Sequence, residues 1–153
     1  MSITIEQRKA RQLVGFRLTG PWENTVAEGF TQLVAWTQKH EISGDWMAVY
    51  YGNPNVTPAN ELMVETVIGV PDGFVLPAES SEAQLFTLPA GHYAVQQVHV
   101  SGTDFAKPWI DFFQQLPATG YVPTGGPCFD HYLNDGTETQ EWDILMAVQV
   151  QKA

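Results

Sequence analysis

The sequence predicts an α+β fold made of a duplicated strand–helix–strand–strand module with pseudo-twofold symmetry. Three observations predict it. The stretch VGFRLTGPWENTVAEGFTQLV (14–34) reads as strand, Gly turn and helix, and QQVHVSGTDFAKPWIDFFQQL (96–116) reads the same way. ELMVETVIGV (61–70) and EWDILMAVQV (141–150) are alternating strands that close each copy. The matches hold a nearly constant offset: Gly20 to Gly102 is 82 (102 − 20), Tyr51 to Tyr132 and Asn53 to Asn134 are 81, and Val70 to Val150 is 80.

Each element follows from its pattern. In the first helix Val26, Phe30, Leu33, Val34 and Thr37 fall at i, i+4, i+7, i+8 and i+11; Phe105, Trp109, Phe112, Phe113 and Leu116 repeat that spacing. Both make a single apolar stripe facing a core. Pro108 is placed in the first turn of its helix, where the missing N–H costs little, and Gly29 weakens the first helix. In the closing strands Val64, Thr66, Ile68 and Val70 share one face, as do Ile144, Met146, Val148 and Val150; these pack under the helices. The mixed faces, with Glu65 in one copy and Leu145 in the other, turn away and are expected to line a shared groove. PDGFVLPAESSEAQLFTLPAG (71–91) reads as the connector, with a short strand near 83–88, and PATGYVPTGGP (117–127) as a long turn-rich loop. The domain expected is one unit over 1–153, with repeats at about 1–75 and 85–153.

Composition excludes several functions. Hydrophobic residues are 44% and charged ones 16%, an ordinary globular balance. The formal net charge of −10 repels phosphate backbones, so no direct nucleic-acid partner is expected, and it leaves room for a basic partner or a cationic ligand. The longest strongly apolar run, WMAVYY at 46–51, is far short of a membrane span. One cysteine, Cys128, and no signal-like N-terminus fit a cytoplasmic protein.

Few residues are arranged for chemistry. Cys128-Phe129-Asp130-His131 puts Cys128 and His131 on opposite strand faces, and His40, His92 and His99 form no ligand pair, so no metal or cofactor is expected. Ser80 and Ser81 lie in an acidic loop without a base, and Glu61, Glu138, Glu141 and Asp143 read as solvated strand-end carboxylates. No catalytic residue and no enzyme activity are expected. Glu65 differs, because a carboxylate between apolar neighbours is costly unless paired. It reads either as an ion pair with one of the seven Lys/Arg residues or as a cleft carboxylate for a cationic ligand. Trp22, Tyr51, Trp109, Phe129 and Tyr132 are the aromatics that would wall such a cleft.

The runs GPWENTVAEGFTQLVAW, DWMAVYYGNPNVTPANEL, GTDFAKPWIDFFQQL, CFDHYLNDG and EWDI together resemble the DNA gyrase inhibitory family of enteric bacteria, the GyrI or SbmC type, over essentially the whole chain. The resemblance implies the fold of the effector-binding domains attached to some AraC-type and MerR-type regulators, here without a helix-turn-helix segment. It implies a partner, DNA gyrase, whose supercoiling is hindered, and protection from gyrase-directed toxins within the DNA-damage response. Drug-sensing relatives meet a cation with a glutamate in the last strand, where this chain has Leu145, followed by Ala147 in place of an aromatic. The pseudo-symmetric residue, Glu65, is acidic. Two functions stand side by side: an inhibitor of gyrase, and a protein that sequesters a small aromatic or cationic ligand. The strand at 88–100 and the acidic loop 79–82 are candidate gyrase surfaces.

Overall fold

The computed structural model describes residues 2–53, 55–78, 82–102 and 104–153. They form eight strands and two α-helices in two compact units, one of Ala10–Pro89 and one of Met1–Lys9 with Ala90–Ala153. Of the acidic loop, Glu79, Ser80 and Ser81 lie outside the described residues.

The unit at 10–89 contains β2 (Arg11–Thr19), α1 (Trp22–His40), β3 (Trp46–Tyr51), β4 (Met63–Val70) and β5 (Gln84–Leu88). Its antiparallel strands run in the order β3-β4-β2-β5. The other unit contains β1 (Thr4–Arg8), β6 (Gly91–Ser101), α2 (Ala106–Gln115), β7 (Tyr121–Tyr132) and β8 (Glu141–Lys152), ordered β7-β8-β6-β1. The expected first repeat at 1–75 thus begins with a strand, β1, that pairs within the other unit.

Strand register makes the duplication quantitative. Gln12 faces Val70 and His92 faces Val150; Arg17 faces Glu65 and Gln97 faces Leu145. Every one of these positions is displaced by 80 (97 − 17, 145 − 65). Leu145 and Glu65 are therefore the same residue of the module. The tyrosines need a correction. Tyr132 faces Ile144 and Tyr50 faces Val64, so Tyr50, not Tyr51, is the counterpart of Tyr132.

Both faces of each sheet hold buried residues: Leu13, Met47, Val49 and Val67 in one unit and Tyr93, Val95, Phe129 and Ala147 in the other lie on the face turned from the helix, and the helix-side face carries a separate apolar cluster. Val14, Phe16, Ile68 and Val70 pack with Leu33 and Trp36 of α1. Ala94, Val100, Ile144, Met146, Val148 and Val150 pack with Phe112 and Leu116. The stripe expected on α1 is rotated. Thr25, Gly29, Leu33, Trp36 and Thr37 are buried, and Val34 is exposed. The cause is Gly29, where an added Cβ would lie 2.5 Å from Thr66 Oγ1 and 2.7 Å from its methyl. The residue read as a weak point is where α1 approaches Thr66 of β4 too closely for a side chain. Pro108 does sit in the first turn of α2, where Asp104 Oδ1 accepts from the Ala106 and Lys107 amides at 3.2 and 3.3 Å.

The loop expected at 117–127 is largely a strand. A 3₁₀ turn covers Leu116–Thr119, and β7 then runs from Tyr121. Pro123 faces Val150 and Cys128 faces Val148, so the pairing breaks between them in a bulge. Gly125 carries the left-handed backbone there, with φ 88°.

Candidate functional site

Glu65 is the most informative side chain of the 10–89 unit. It lies mid-β4 on the face turned from α1, and 1% of it is exposed. Arg17, its cross-strand neighbour, donates to Glu65 Oε2 from Nε at 3.0 Å and also from Nη2. Tyr51, at the end of β3, donates its hydroxyl to Oε1 at 3.3 Å. The same guanidinium lies 5.1 Å from the Phe86 ring centroid and 5.8 Å from that of Tyr51. A buried carboxylate and two ring faces thus hold a half-exposed cation, and the cation is the chain's own. Burial pushes the Glu65 carboxyl above its usual range, opposed by the hydrogen bond and charge of Arg17 and by Tyr51.

A second ion pair shares this face. Arg11 makes a two-pronged bridge to Asp45, both contacts 2.6 Å, and the bond to Asp45 raises its already high pKa. The pair lies over Gly69, where an added Cβ would fall 2.0 Å from Arg11 Nη2. Glycine at 69 is what lets the guanidinium cross the strand.

The equivalent face of the other unit is built differently. Opposite Leu145 stands exposed Gln97, so the ion pair is replaced by a neutral one. Phe129 is fully buried on this face, with Tyr93 at 5.7 Å and the Arg8 guanidinium at 5.8 Å. Burial pushes the Tyr93 phenol up to about 12.

Within each unit the sequence-predicted residues divide between the two faces of the sheet. Tyr51 and Glu65 meet in one unit, and Phe129 and Leu145 share the corresponding face of the other. Trp22, Trp109 and Tyr132 lie on the helix sides. Trp22 Nε1 donates to the Met63 carbonyl at 3.0 Å and its ring meets Tyr50 at 4.9 Å. Trp109 packs on Phe112 and Phe113, and Tyr132 on Trp142 at 5.6 Å. Sequence reasoning missed Arg17 and Phe86. No local signal pointed to Arg17, because β2 and β4 are separated by α1 and β3, and only the register with Thr19 opposite Met63 places 17 opposite 65.

Cys128 lies on the helix side, its thiol pushed up to about 12 by burial and then by the charge of Asp130, which disfavours the thiolate. On the exposed end of β6 and β8, His99 bridges Asp143 (2.9 Å) and Glu141 (2.8 Å), and Ser101 donates to Glu141 at 2.6 Å. The two acids raise the His99 pKa, Asp143 most. Among the described residues no helix is long and apolar enough to cross a membrane.

The chain matches a family model described as a GyrI-like small molecule binding domain over residues 1–151. It is 54% identical to a protein of Erwinia billingiae named DNA gyrase inhibitor, covering 100% of this chain and 99% of that one. Among solved structures it resembles the EcmrR C-terminal domain, with a TM-score of 0.72 at 10% identity over 99% of this chain and 98% of that one. It also resembles SAV2435 bound to tetraphenylphosphonium, with a TM-score of 0.64 at 11% identity over 99% and 94%. Both structural likenesses concern the fold.

Proposed function

Because the chain belongs to the GyrI-like family, we propose that it is an inhibitor of DNA gyrase. It hinders supercoiling in the cytoplasm and shields the cell from gyrase-targeting toxins as part of the DNA-damage response. The observation that carries this is the 54% identity, over the full length, to a relative named DNA gyrase inhibitor. We read the action as non-enzymatic, supported by the relative's name and by the description of the family model as a binding domain. The net charge of −10 supplies a physical route, competition with DNA for a basic surface of the enzyme. Purified protein added to gyrase and relaxed plasmid is expected to lower the supercoiling rate. Inhibition is expected to weaken several-fold as the screening length falls from about 10 Å at 0.1 M salt toward about 6 Å. No effect at large molar excess, or inhibition indifferent to salt, would contradict the reading or its electrostatic route respectively.

A second reading, a small-ligand binder, is favoured by the Arg17–Glu65–Tyr51–Phe86 arrangement. The relative SAV2435 is described bound to an aromatic cation. Here a cationic ligand at Glu65 must displace Arg17. Tetraphenylphosphonium is therefore expected to raise the melting temperature of Arg17→Ala more than that of the wild type, and not that of Arg17→Ala/Glu65→Gln. Equal shifts in all three would remove Glu65 from ligand binding.

A further inference from the structure

The register of β6 leaves half of that strand open. β1 pairs with Gly91–Val95 and stops at the Thr4–Val95 pair, whereas β8 pairs along His92–Ser101 on the other side. Among the described residues no strand covers Gln96–Ser101 on the β1 side. Which backbone groups face outward follows from one bond. The Gly102 amide donates to the Gln140 carbonyl at 2.7 Å, on the β8 side. In an antiparallel ladder the N–H and C=O of one residue point the same way, and successive residues alternate. Val100 and Val98 therefore point to β8, and Gln97, His99 and Ser101 point outward. All three are exposed.

Beside this edge runs an open groove of about 450 Å³, between β6 and α2, with Asp104, Lys107, Asp111 and Gln115 on its far wall. A strand added at the usual spacing of about 4.8 Å would lie in it. We propose that the open edge of β6 at 96–101 receives an extended segment of another protein, with lysine or arginine at alternate positions, by strand addition.

The charge selects this occupant. Asp104 and Asp111 line the groove, and Glu141 and Asp143 flank His99 across the strand. Against these four acids stand Lys107, whose ammonium is 3.6 Å from Asp111, and His99. A second copy of this chain would bring −10 against −10, so edge-to-edge self-pairing is disfavoured. Alternate side chains of a basic segment would reach Asp111 on one face and the His99 acids on the other. The inference goes beyond the gyrase reading and does not require gyrase to supply the segment.

The test is an amide NMR titration of the intact protein with two synthetic peptides, Ac-KVKVKVK-NH2 and Ac-EVEVEVE-NH2, to millimolar concentration. The basic peptide is expected to shift the Gln97, His99 and Ser101 amides saturably and slow their exchange, while the acidic one leaves them unmoved. Gln97→Pro removes an outward N–H without touching the β8 ladder, and is expected to abolish the response. Asp111→Lys is expected to raise the apparent Kd about fivefold. The wild-type amides decide the matter even where the proline variant does not fold. No saturable change at those three amides, equal responses to both peptides, or changes confined elsewhere overturn the proposal.

Discussion

Phe112→Ala is expected to lower the unfolding free energy by about 3–5 kcal/mol, while Phe113→Ala, one residue on, costs less than about 1 kcal/mol. Both side chains belong to the stripe read from the sequence, yet only Phe112 faces inward. It is fully buried among Leu116, Ile144, Met146 and Val148, with the Trp109 ring 5.6 Å away. Phe113 is 43% exposed and leans on Trp109 from outside. The difference is large because α2 has only ten residues, too few to hold a helix without tertiary contacts. Removing Phe112 leaves a cavity and frees the helix together. Thermal denaturation of the two variants, with a melting-temperature gap of roughly 4–20 °C in a chain of this size, is the measurement. Equal losses would mean that α2 is seated on a different face.

What the sequence disclosed depended on how local each signal is. The duplication was legible because alternation, Gly turns and helix stripes are written within each module, and the paired strands β2–β4 and β6–β8 correspond at an offset of 80. Glu65 was legible as an anomaly, because a lone carboxylate among apolar strand residues is one. Its partner was not read, because Arg17 lies 48 residues away across strands separated by a helix and a hairpin. The face of α1 was misread for a related reason. Apolar spacing selects Val34, but close approach selects Gly29, and that approach involves Thr66 on another strand. The strand at 121–132 escaped because Pro123 and Gly125 are loop residues by propensity, and a bulge absorbs them.

Arg17→Ala is expected to cost about 2–4 kcal/mol at neutral pH, because it leaves Glu65 buried without its cation. The lower half of that range applies, since Arg17 is 44% exposed and water screens the pair. The loss depends on pH, with a definite sign. Burial already holds the folded-state pKa of Glu65 above the usual carboxylate value. A carboxyl so raised stabilises the fold fully below its unfolded pKa, and that contribution disappears as pH rises through the folded pKa. Without Arg17 the principal opposing influence is gone, the folded pKa rises further, and the window widens upward. The deficit of Arg17→Ala relative to the wild type should therefore shrink as pH falls from 7 toward 4.5, measured by denaturant midpoints at fixed salt. A deficit constant with pH would mean that Glu65 does not carry it. The other unit supplies the compensating variant: at the same two register positions it holds Gln97 and Leu145. Arg17→Gln combined with Glu65→Leu is accordingly expected to recover most of the lost stability, since an ion pair replaced whole by a neutral pair abandons no buried charge. If the double variant is as unstable as Arg17→Ala, the guanidinium is held for its packing on Phe86 and Tyr51, and its pairing with Glu65 is secondary.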